Sequence, residues 1–144
     1  MNEAQNTKAV IVILPQSVGT TAVTGTVDTL GFDYCTISVA ADTAAASSVV
    51  TTMAVAEADS GTSYTAITTL TNGTATGNFT PPVPSTSAGD ITKLHVDLRG
   101  RKRYLQVSYA STTARLACVT AELSRSAGVL STDALRGCGE VVYA

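Results

Sequence analysis

The chain has no tryptophan, a single histidine and few charges, and each shortage narrows what it can do. Acid–base and nucleophilic catalysis need groups assembled by the fold, and they often use histidine. The one histidine, His95, alternates in phase with Asp97 on the polar side of a strand. It reads as a surface or interface residue able to bridge a carboxylate or sense pH. With aromatics at 5% and no tryptophan, the platforms typical of lectin sites are scarce. A formal charge of −2 argues against wholesale nucleic-acid binding, which needs a strongly basic face to displace counterions.

Other absences concern compartment and cofactors. No segment approaches the roughly 20 apolar residues of a membrane-spanning helix. The apolar run from Ala9 to Leu14 is short, follows Glu3 and has one lysine before it, so it is not read as a secretory signal. The expectation is a soluble protein made in a cytoplasm, with no membrane partner. Three cysteines, Cys35, Cys118 and Cys138, lack any C-x-x-C spacing. Cys35 and Cys118 lie in apolar strands and read as small buried hydrophobes. A Cys118–Cys138 bridge would require oxidising conditions. Glycines fall singly, so no loop cradles phosphate. The acidic turn Glu57-Ala58-Asp59-Ser60-Gly61 has too few oxygen ligands for a calcium loop. No catalytic residue, metal or cofactor is expected. Asn72-Gly73-Thr74 and Asn78-Phe79-Thr80 fit the N-glycosylation pattern but, without a secretory signal, read as accidents of a threonine-rich loop.

What is present is β-branched and small. Threonine, valine and alanine dominate a chain that is 44% hydrophobic, and threonine and valine favour a pleated surface. At 144 residues the chain suffices for one domain with its own core. Period-two alternation or apolar runs predict strands near 8–14, 21–28, 32–40, 49–57, 64–70, 93–98, 104–110 and 114–123. Roughly eight short strands imply an all-β, two-layer antiparallel sandwich, jelly-roll or immunoglobulin-like. Residues 1–125 form the sandwich, and 126–144 form a C-terminal arm or final strand. Ala41 to Ser48 is the one passage with helix potential, one or two turns capped by Asp42 or Thr43.

Three regions read as partner-binding. The strands 93–98 and 104–110 read as the arms of a hairpin tipped by Arg99-Gly100-Arg101-Lys102-Arg103, a basic knuckle suited to meeting the carboxylates of another subunit. Its other readings are a solvated tip or a phosphate contact, the latter weakened because Tyr104 and Tyr109 fall on opposite faces. The loop from Thr71 to Asp90 holds Asn72-Gly73, a type I′ turn signal, and Pro81, Pro82 and Pro84, which stiffen an extended run. A loop of this length tends to bind something or cover a neighbour. The chain ends on Val141, Val142 and Tyr143, an apolar finish that reads as a docked arm.

The segments AVIVILPQ, GFDYCTISVA, AEADSGTSYTAI, HVDLRGRKRYLQV and AELSR, between Lys8 and Arg125, resemble the head decoration (cement) proteins of tailed bacteriophages. HVDLRGRKRYL is the most specific of them. The resemblance implies a non-enzymatic β-sandwich of the virion exterior that binds the major capsid protein, close to whose gene such proteins are typically encoded. It also implies a homotrimer at threefold or quasi-threefold positions, reinforcing the shell against packaged-DNA pressure. The tail after Arg125 departs from the pattern. Two other readings stay open: a tail or fibre-associated subunit that assembles into rings, and a glycan-binding sandwich, for which glycan-array silence is expected.

Overall fold

In the computed structural model, residues 6–126 and Gly137 are described. Eight strands follow one another: β1 (Lys8–Val18), β2 (Val23–Asp28), β3 (Phe32–Ala41), β4 (Val50–Ala58), β5 (Thr65–Thr71), β6 (Asp90–Asp97), β7 (Tyr104–Ser111) and β8 (Arg115–Ser126). They form two four-stranded antiparallel sheets, β1-β8-β3-β6 and β2-β7-β4-β5. Strand pairs 1–8, 2–7, 3–6 and 4–5 are all hydrogen-bonded. The chain is thus one long antiparallel ribbon, doubled back between β4 and β5 and rolled until β8 meets β3 and β7 meets β4. That is the jelly roll, and the immunoglobulin-like alternative is set aside.

The rolling corrects the reading of strands 93–98 and 104–110 as a hairpin. β6 and β7 lie in different sheets, so the basic tip is a corner between layers. Alternation reports which side of a strand is buried but carries no information about its hydrogen-bonded neighbour. Among the described strands, only β4 and β5 are sequence neighbours paired in one sheet.

Between the sheets, Ile37, Met53, Val55, Leu105, Val107, Tyr109 and Leu123 are fully buried. Side chains of this size each contribute on the order of 1.5–3 kcal/mol when removed from water. β1 runs on through Pro15 to Val18 instead of ending at the proline. It is an edge strand, and its register shifts between Ile11 and Gln16. An edge with a bulge is where a strand tolerates the missing amide. Across the sandwich, Gly25 of β2 leaves room for the Val12 carbonyl, which any Cβ there would strike.

The expected short helix is absent. Residues 42–49 form a loop with Ser47 at φ 65°, in the left-handed region that interrupts a right-handed helix. Its amides bond outward: Asp42 N–H donates to the Leu116 carbonyl and Ala44 N–H to the Ser85 carbonyl. The Asn72-Gly73 turn does not form either. Asn72 extends the β5 ladder, donating its backbone N–H to the Met53 carbonyl (2.9 Å). Its side-chain oxygen accepts from Met53 N–H (2.8 Å), and its amide nitrogen donates to the Thr51 carbonyl (3.1 Å). An amide so engaged is a poor glycosylation acceptor. Strand β8 runs to Ser126, three residues past the expected strand end at Leu123. Val141, Val142, Tyr143 and Cys138 lie outside the described residues. Gly137 packs against the backbone of Ala9 on β1. Among the described residues, no helix is long and apolar enough to cross a membrane.

Candidate functional site

The connections β2–β3, β4–β5 and β6–β7 gather at one end of the sandwich, where Arg99 to Arg103 meet acids of the same chain. Arg99 grips Asp97 through two nitrogens (3.0 and 2.6 Å), and Arg103 grips Asp28 in the same bidentate way (2.8 and 2.6 Å). Arg101 lies 3.4 Å from Glu57, and Lys102 Nζ lies 3.4 Å from Asp59. The Lys102 amide also donates to Glu57 (3.2 Å). Arg103 rests over the Tyr104 ring at 4.9 Å. Gly100, at φ +82°, makes the left-handed turn that brings the cations round. Hydrogen bonds from Arg99 hold the Asp97 carboxyl down at about 2, and those from Arg103 hold Asp28 below its ordinary value.

The knuckle expected to reach another subunit's carboxylates therefore carries four cations matched by four of its own. A partner would have to displace Asp97, Glu57, Asp59 or Asp28. The acids lie 43 or more positions away in three of the four pairs, so no local window of sequence reveals the match.

The proline-rich loop lies at the opposite end, with the connections β1–β2, β3–β4 and β7–β8. Pro84 is buried, Pro81 half-buried, Pro82 exposed, and Val83 stands 79% exposed between the prolines. The tip and this loop do not form one surface.

The outer face of sheet β1-β8-β3-β6 forms the broadest candidate surface, ordered in rows across the strands. From the tip end these are Asp97–Tyr34–Ser124, His95–Thr36–Glu122–Ala9, Lys93–Ser38–Thr120–Ile11 and Ile91–Ala40–Cys118. Polarity falls along the series. Toward the proline-loop end, Ile91, Ala40, Cys118, Leu116 and Pro15 surround an apolar depression of about 470 Å³. Ile11, Leu14, Ile91 and Leu116 are 59–68% exposed on this face. The other exposed large apolar side chains among the described residues, Leu30, Val49 and Val83, sit on connections. The outer face of the second sheet carries the neutral rows Thr24–Ser108–Ala54 and Thr26–Gln106–Ala56, followed at the tip end by Asp28–Tyr104.

Sequence reasoning missed this apolar band because alternation in β8 defines two sides without saying which faces inward. Small Ala117, Val119 and Ala121 point into the core, while larger Leu116 points out. The signal available was Ile91, which shares its phase with Lys93 and His95. Cys118, expected to be buried, is half-buried on the same face, whereas Cys35 is buried and its burial pushes the thiol up to about 12. Among the described residues, no group of three His, Cys, Asp or Glu side chains could hold a metal. No protein-family model, curated protein or solved structure matches this chain.

Proposed function

We propose that the chain is a non-enzymatic virion protein, a decoration subunit that binds the outside of a bacteriophage capsid and stabilises it. The observation that carries the reading is the band Ile11, Leu14, Ile91 and Leu116, open to solvent on one side of a stiff sandwich. Contiguous apolar surface of this kind marks an interaction site. Each copy needs only a modest interface, because many copies on one lattice turn weak contacts into a firm grip. The sequence segments that resemble cement proteins add the partner, the major capsid protein, and a homotrimeric arrangement. The self-neutralised tip supports a contact of shape and apolar area over one of free positive charge.

The test is cosedimentation of purified protein with matching capsids stripped of it, followed by imaging. Saturable binding with density at threefold or quasi-threefold positions is expected. Leu116→Asp should abolish binding, and serine at Arg99, Arg101, Lys102 and Arg103 together should weaken it less. Protein found along tails, or no binding, overturns the reading.

A further inference from the structure

The tip-proximal half of the same face contains a hollow of about 630 Å³ that the assembly reading does not use. Its floor is the hydroxyls of Thr36 and Ser124, short side chains in the middle of the sheet. Its walls include Tyr34, His95, Lys93 and Glu122, with Asp97, Arg99 and Arg125 on the tip side. Tyr34 and His95 stack with ring centroids 6.0 Å apart and planes 29° from parallel. His95 Nδ1 lies 3.3 Å from Thr36 Oγ1, which steadies the imidazole against the tyrosine. Lys93 on β6 and Glu122 on β8 are separated by β3, about 10 Å across two inter-strand spacings. Neither forms an ion pair among the described residues.

We infer that this hollow binds one sugar unit of a neutral saccharide. Floor strands β3 and β8 are paired on both sides, so their backbones are unavailable to an incoming peptide strand and recognition falls to side chains. The lining carries charges of both signs, Lys93 and Arg125 against Glu122 with Arg99 paired to Asp97, so neither an anion nor a cation meets a set of one sign. A metal has too few ligands. A sugar ring matches on each count. Its hydroxyls both donate and accept, meeting the Lys93 ammonium, the Glu122 carboxylate and the floor hydroxyls. Its C–H face can lie on the Tyr34 ring, an apolar surface with a polar tip. Pockets with an apolar wall and a few convergent polar groups are the usual form of small-molecule sites. The inference is independent of capsid attachment and holds in any assembly that leaves this half of the face open.

The experiment is a titration of the isotope-labelled full chain with glucose, galactose, mannose, N-acetylglucosamine and N-acetylgalactosamine, followed by amide NMR, with a glycan array for longer saccharides. One sugar should give saturable shifts confined to residues 34–36, 93–95 and 122–124. Tyr34→Ala and Glu122→Gln should each lose those shifts while keeping a folded spectrum, and Arg101→Ser should keep them. Silence across the panel and the array, or shifts that survive both hollow variants, overturns the inference without bearing on capsid binding.

Discussion

The two ends of the sandwich are closed by different chemistry. At the tip end, three connections are tied by exposed ion pairs, with Arg99 67% exposed and Arg103 43%. At the opposite end, the Arg115 side chain is entirely buried. It donates to Asp90 (2.8 Å), to the Asp42 carbonyl and to the Tyr109 hydroxyl (3.4 Å), linking β8 to β6, β7 and the β3–β4 loop. Beside it, Ser48 lies 2.6 Å from Thr113 and 3.2 Å from Ser111, oxygen to oxygen. Exposed pairs are worth little because water competes for each charge and the long side chains lose entropy. A buried guanidinium is costly to leave unmatched, so each of its partners becomes obligatory. The chain concentrates its basic residues where they contribute least to stability and places one arginine where it matters most.

The sharpest way to break that contrast is Arg115→Ala, which strands Asp90 and opens the proline-loop end. It is expected to destabilise the fold by about 3 kcal/mol in urea unfolding. A loss no larger than that of the tip variants would remove the distinction. Asp90→Asn keeps the shape but exchanges a charge-assisted bond for a neutral one, with an expected loss of about 1.5 kcal/mol. Arg103→Ser should lower the urea midpoint only slightly, and less in high salt, because water and salt screen an exposed pair.

The smallest effect is on pH dependence. Asp97 is held at about 2, below the ordinary 3.8. A lowered carboxyl pKa adds stability that is full above the unfolded value and lost as pH falls through the folded one. The contribution of this pair should therefore fade between about pH 4 and 2. Arg99→Ser should raise the Asp97 midpoint toward 3.8, read from its side-chain carboxyl resonance. An unmoved midpoint would separate the acid from its partner.

Thiol reactivity sharpens a second contrast, between the inside and outside of one sheet. Mass-spectrometric mapping after alkylation of the native protein should find Cys118 modified while Cys35 stays protected until unfolding. Burial and a raised pKa both keep Cys35 from forming the reactive thiolate.

The strands were legible in the sequence because side-chain alternation is a local property. Leu94, Val96 and Leu98 turn inward and His95 and Asp97 outward, as the pattern requires. The basic tip was legible as a cluster, but its neutralisation was not, since Glu57, Asp59 and Asp28 reach it only after the ribbon is rolled. The hollow was illegible for the same reason: Tyr34, His95 and Glu122 come from three strands that become neighbours only in the sheet.

The sequence by itself determined an all-β chain of about eight strands and the two sides of each. Only tertiary structure decided which strands pair, which side of β8 is buried, and which acids answer the cations. Strand periodicity is written in adjacent residues, whereas pairing depends on loop closure and on the burial gained when distant segments meet.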